Sequence, residues 1–117
     1  MAEGPFPELG PEHLALLSEA RAGIERLVTR APASMGDVVF LVADADSQLG
    51  RVIVALGVPR HPERRSVVIP LSRADAVQAA GPIMGPSVTE KLSAHQGPAA
   101  LIMAGGVARL VALARSE

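Results

Sequence analysis

The first apolar pattern in the chain has helical spacing. Between residues 11 and 30 the apolar side chains recur as one stripe: Leu14, Leu17, Ile24, Leu27 and Val28. Pro11 suits a first helical turn, and Pro32 ends the pattern because the residue before a proline resists helical geometry. The pattern predicts a long N-terminal helix over residues 11–30, preceded by an extended arm over residues 1–10 that is rich in proline and glycine.

Three apolar stretches rich in β-branched residues follow, over residues 37–43, 51–56 and 66–71. The segments between them are short and contain many turn-forming residues, which leaves no room for crossover helices between parallel strands. We therefore predict a meander of three antiparallel strands. Pro70 cannot donate a backbone hydrogen bond, so the third strand either ends there or has a free edge on that side.

Capping signals predict two short helices after the meander. Ser72 is a candidate N-cap with Asp75 three residues later, and Gly81 is a candidate stop. Ser87 and Glu90 form the pattern S-x-x-E of a second helix start, and that helix should end at the next glycine.

The C-terminal part of the chain is ambiguous. Residues 99–104 have the composition of a strand, and Gly105–Gly106 is a two-residue hairpin signal. Residues 107–115 match a strand and a helix nearly equally, and their alanine, arginine and leucine content favours the helix. Residues 11–117 are thus predicted to form a single α+β domain of two layers, in which helices cover one face of a mostly antiparallel sheet.

Composition limits the classes of function. The chain has 117 residues, of which 49% are apolar and 20% charged, and it has no cysteine. A disulfide framework and a thiolate site are therefore excluded. No apolar run approaches the length of a membrane span, and the first residues lack the basic region of a signal peptide. We expect a soluble, cytoplasmic protein without membrane contacts.

The sequence FLVADADSQL, residues 40–49, is the strongest candidate for chemistry. It resembles the first motif of haloacid dehalogenase-like phosphatases, an apolar strand followed by D-x-D-G-T-L. The resemblance implies that Asp44 is a nucleophile and Asp46 a general acid or base, with Ser72 and Lys91 in the second and third motifs. Such enzymes also need a late acidic pair for Mg²⁺, but the only carboxylate side chain after Lys91 is Glu117.

A structural role for the same residues is the alternative. Aspartate, serine and glycine form polar turns in which the side chains bond to nearby backbone N–H groups. On this interpretation Asp44 and Asp46 belong to a turn between two strands. Two aspartates without further ligands seldom hold Mg²⁺, so we expect no metal and no cofactor.

The loop over residues 58–66 is the best candidate for binding. It brings four basic side chains together: Arg60, His61, Arg64 and Arg65. If Arg51 and Arg73 approach, this surface could hold a phosphate, a carboxylate or a nucleic-acid backbone, because guanidinium groups bind such oxyanions bidentately. The formal net charge is −1, so bulk electrostatics alone do not favour nucleic acid.

These patterns together predict a small non-catalytic protein with a binding or regulatory role. A high apolar fraction and an uncovered sheet edge favour a homodimer. The alternatives are anion or nucleic-acid binding through residues 60–65, and Mg²⁺-dependent phosphoester hydrolysis by Asp44 and Asp46.

Overall fold

The computed structural model describes residues 10–30, 38–60, 62–104 and 106–112. Its elements in chain order are α1 (Pro11–Arg30), β1 (Val39–Asp44), α2 (Gln48–Ala55), β2 (Ser66–Leu71), α3 (Arg73–Met84), α4 (Pro86–Ala94), β3 (Ala99–Ala104) and β4 (Val107–Ala112). The α+β class is confirmed, and α1, β2 and β3 cover the predicted ranges. Residues 1–9 of the arm lie outside the described residues.

The four strands form one mixed sheet in the order β2-β1-β3-β4. β1 is antiparallel to β2 and parallel to β3, while β3 is antiparallel to β4. The chain therefore returns from β2 to the opposite side of β1 through α3 and α4. β2 is an edge strand, as Pro70 requires, because a proline cannot donate to a second neighbour.

Helices cover both faces of this sheet, which corrects the predicted two-layer arrangement. On one face Phe40 and Val42 pack with Ala20 and Ile24 of α1. On the other face the alternate residues of the strands pack with side chains of α2, α3 and α4, among them Leu49, Ile53, Ala80 and Leu92. The reason is that β1 is apolar at successive positions, so both of its faces must be buried.

The predicted three-stranded meander is wrong, because most of residues 51–56 belong to α2. Ser47 caps this helix, and its buried residues Leu49, Gly50 and Ile53 share one helical face. β-branched content had favoured a strand, but it is a weaker signal than the capped start and the apolar spacing of three and four residues. β1 therefore pairs with β2 on one edge and with β3 on the other, and residues 51–56 pair with neither edge.

The two short helices exist with shifted bounds. The Ser72 cap is confirmed, since its side chain accepts from the Asp75 N–H at 3.1 Å. α3 continues past Gly81 to Met84, and Gly85, with a φ of 90°, both ends α3 and precedes α4. The Ser87 cap is therefore wrong, because Pro86 already occupies the first turn of α4.

Residues 107–112 form a strand, so the preference for a helix there is wrong. Gly106 has a φ of 79°, and β4 folds back on β3 with Ala104 opposite Val107. Ala108 and Leu110 are buried in the same core as α2, α3 and α4. Packing against β3 thus outweighs the helical propensity of alanine, leucine and arginine. Within the part of the chain that the structure describes, no helix has the length and hydropathy of a membrane span.

Candidate functional site

The D-A-D-S segment is a turn from a central strand into a helix, and not a turn between two strands. Asp44 ends β1, and its Oδ1 accepts from the Asp46 N–H at 2.9 Å. The Asp44 carbonyl accepts from the Ser47 N–H at 2.9 Å and from the Ser47 hydroxyl at 2.6 Å. The Ser47 Oγ accepts in turn from the Gly50 N–H at 3.0 Å. The side chains satisfy backbone groups, as expected for a polar turn.

Gly50 lets α2 lie directly against the end of β1. A Cβ atom at this position would stand 1.9 Å from the Asp44 carbonyl oxygen and 2.8 Å from the Ala45 Cα. These are backbone atoms that cannot rotate away, so a side chain cannot be accommodated without moving the turn. The glycine therefore fixes the path of the chain from the central strand to the helix that covers it.

The two aspartates also hold the arginine loop. Arg65 donates from Nε and Nη2 to the Oδ2 of Asp44 at 3.1 and 2.7 Å. Arg60 donates from Nη2 to the Oδ1 of Asp46 at 2.7 Å. The turn after β1 and the loop before β2 are thus connected by two ion pairs, and both pairs are open to solvent on at least one side.

Hydrogen bonding keeps the Asp44 carboxylate ionised. The Asp46 N–H holds the pKa of the Asp44 carboxyl below its usual range; burial opposes this shift, and the Arg65 guanidinium adds to it. The hydrogen bond with the Asp44 carboxylate raises the pKa of Arg65. Because the folded-state pKa of Asp44 is lowered, its bonds stabilise the fold above the usual aspartate pKa. That stability is lost as pH falls through the lowered value.

The predicted anion site is only partly assembled. Arg60, Arg64 and Arg65 line one pocket of about 370 Å³ together with Asp44, Asp46 and Pro62. Three guanidinium groups therefore face two carboxylates, and no described carboxylate pairs with Arg64. His61 lies outside the described residues. The positions of the arginines in one loop indicate that they lie close together, as the shared pocket shows. No local pattern indicates that aspartates from another turn pair with two of them.

The two further arginines do not complete this surface. Arg73 follows the far end of β2, where Leu71 pairs with Val39, and it donates to the carbonyl of His95. Arg51 lies on the exposed side of α2.

The geometry gives the phosphohydrolase interpretation no support. The Asp44 carboxylate and the Asp46 Oδ1 accept from protein donors, so a divalent ion would have to displace them. Ser72 caps α3 at the opposite end of β2 from Asp44, because β2 runs antiparallel to β1. Lys91 is exposed in the last turn of α4. Among the described residues, no group of three or more histidine or acidic side chains is placed to hold a metal ion.

The free edge of β2 offers few hydrogen-bonding groups. The Ala45 N–H donates to the Arg65 carbonyl at 2.7 Å, so the backbone groups of Arg65 face the β1 side of the sheet. In the register of β2 with β1, the backbone groups of the alternate residues then face outward: Ser66, Val68 and Pro70. The Ser66 N–H donates to Glu19 of α1 at 3.0 Å. Pro70 has no N–H. Of the three outward residues of β2, Val68 alone therefore has an N–H that neither Glu19 nor a proline ring removes from pairing.

The free edge of β4 is not blocked in this way. The Ala99 N–H donates to the Val38 carbonyl at 3.0 Å, so the next residue of β3 and every second one after it face β4. The register with β3 then turns outward three residues of β4: Ala108, Leu110 and Ala112. None of them is a proline. Among the described residues, no backbone group outside β3 bonds to β4. The sequence carries no clear signal for this edge, because residues 107–115 match a strand and a helix nearly equally.

No known protein family, curated protein or solved structure matches the chain.

Replacing Gly50 by alanine should destabilise the protein severely, because the new methyl group would overlap the Asp44 carbonyl. We expect the free energy of unfolding to fall by more than about 3 kcal/mol, measured by urea denaturation. Gly23→Ala in α1 is the matched control, since its Cβ would meet the Val68 side chain at an ordinary 3.5 Å. This control should gain about 0.5–1 kcal/mol. Equal stability of the two variants would refute the close contact at Gly50.

Proposed function

We propose that the protein is a non-catalytic binding module that works as a homodimer joined along β4. The observation that carries this proposal is the contrast between the two edges of the sheet. Proline and an intramolecular carboxylate acceptor are devices that prevent strand addition at an edge. β2 has both, through Pro70 and Glu19, whereas the described part of β4 has neither.

An apolar surface at the start of β4 supports the same contact. The His13 Nε2 donates to the Val107 carbonyl at 2.9 Å, which fixes the first turn of α1 beside the β3–β4 hairpin. Leu14 is 50% exposed and Val107 is 41% exposed. Exposed apolar side chains on two elements in contact are a feature of association surfaces, and pairing along β4 would bring a second copy towards Val107.

The homodimer would carry two copies of the pocket between the D-A-D-S turn and the arginine loop. Each pocket is formed by exposed ion pairs, whose partners can exchange with a ligand at low cost. Such a pocket, in charged loops at one end of the sheet, supports a binding or regulatory role.

Replacing Ala112 by proline should weaken the homodimer and spare the fold. The substitution removes one outward N–H, while the bonds to β3 come from the alternate residues of β4. Two lost bonds per dimer, at about 1 kcal/mol each, raise the dissociation constant about 30-fold. Light scattering over a dilution series measures the change. Ala112→Ser keeps the N–H and should remain dimeric, and a wild-type protein that stays monomeric at high micromolar concentration refutes the proposal.

Anion binding by the arginine loop is the second candidate function, and the Arg64 guanidinium favours it, because it has no carboxylate partner among the described residues. The pocket has one positive charge in excess of its two ion pairs. A phosphate group, free or within a nucleic-acid backbone, would complete that balance through bidentate hydrogen bonds.

Inorganic phosphate, titrated by calorimetry at low salt, tests the second candidate. Arg64→Ala should abolish binding, because it removes the excess charge. Asp44→Asn should strengthen binding, because the amide oxygen can still accept from the Asp46 N–H while Arg65 loses its carboxylate partner. Affinity should fall steeply with added salt. Equal affinities of the three proteins would show that phosphate does not bind in this pocket.

A further inference from the structure

We infer that β4 pairs with β4 of a second copy in one particular register, in which Leu110 lies opposite Leu110 and the two sheets join into one of eight strands. This inference rests on the proposed homodimer and specifies its interface. The occupant of the edge is a second copy of this chain, antiparallel to the first and related to it by a two-fold axis.

The outward groups of β4 select this register. In an antiparallel pair, the residues whose N–H and C=O face each other exchange two hydrogen bonds. With Leu110 on the axis, Ala108 pairs with Ala112 of the second copy, and all three outward residues on each side take part. This gives about six hydrogen bonds between the strands. An axis at the position before or after Leu110 leaves one end of the edge unpaired and gives about four.

Side-chain size agrees with the same axis. The outward residues read alanine, leucine, alanine, so a reversed copy centred on Leu110 places small residues beside small residues. Their side chains all point into the layer of α2, α3 and α4. α4 packs beside β4 in that layer, so α4 of the second copy would lie on the same face of the joined sheet.

Arg109 excludes the neighbouring register. Its side chain lies on the face of α1, since Arg109 pairs with Ile102 and Ile102 packs in the α1 core. An axis at Arg109 would place two guanidinium groups directly opposite each other, which is destabilising. The Leu110 axis places Arg109 opposite Val111 of the second copy instead. The buried Arg109 Nε has no hydrogen-bond partner among the described residues, and Arg109 belongs to the strand with which a second copy would pair.

The absence of cysteine from the chain makes the register directly testable by disulfide trapping. Residues 109 and 111 are opposite each other across the Leu110 axis at a pair without mutual hydrogen bonds, where Cα atoms are about 4.5 Å apart. This distance is within the range of a disulfide. Two positions 109, or two positions 111, are separated by a further two residues along the strand and exceed the roughly 7 Å limit.

We expect an oxidised mixture of the Arg109→Cys and Val111→Cys proteins to form covalent dimers, and each protein alone to stay largely uncrosslinked. Circular dichroism and light scattering of each reduced protein first establish that it folds and remains dimeric, so a misfolded variant is recognised before oxidation. Efficient crosslinking of Arg109→Cys alone, or of Val111→Cys alone, overturns the register in favour of an axis at that residue.

Two further outcomes separate the inference from the proposed function. Reduced dimers that form no disulfide in any combination keep the homodimer but overturn the β4 register. Wild-type protein that is monomeric overturns both. A Leu56→Cys protein provides the matched control for random collision, because Leu56 is 51% exposed and follows α2, which packs against β1, β2 and α3.

Discussion

The burial of β1 on every side is the constraint on which the rest of the structure depends. Its residues from Val39 to Ala43 are all apolar and at most 1% exposed. A strand of this kind needs cover on both faces and a strand on both edges, because buried N–H and C=O groups must be paired. α1 covers one face, α2–α4 cover the other, and β2 and β3 pair with the two edges. The two edge strands of the sheet are therefore β2 and β4.

Asp44 and Asp46, the residues that suggest catalysis, belong to the turn that connects β1 with one of the helices covering it. The chain must leave β1 and return at once over its own face, which requires a tight turn and a capped helix. Asp44 and Ser47 bond to the turn, and Gly50 allows the helix to contact it. The same carboxylates then hold Arg60 and Arg65. A motif that resembles a catalytic one is thus accounted for by local hydrogen bonding, and the charges of the arginine loop are largely balanced within the protein.

The sequence predicts the elements whose signals are local. α1 is defined by a stripe and two prolines, and β2 and β3 by short apolar runs between turn formers. It fails where β-branched content is given more weight than a helix cap, and where tertiary contacts decide the outcome. Residues 51–56 are rich in β-branched side chains but fold as a helix that the Ser47 cap starts, and residues 107–112 have helical composition but pair with β3. The pairing of Asp44 with Arg65, and of Glu19 with Ser66, depends on strand register and on the position of α1, which no local pattern encodes.

The central claim is that the outward edge of β4 is paired in solution while that of β2 is not. Amide hydrogen exchange, followed by NMR at several protein concentrations, tests it residue by residue. The account predicts that the N–H groups of Ala108, Leu110 and Ala112 exchange slowly at high concentration and faster on dilution, whereas Val68 exchanges rapidly throughout. Exchange of all four amides at the same fast rate, independent of concentration, would contradict it.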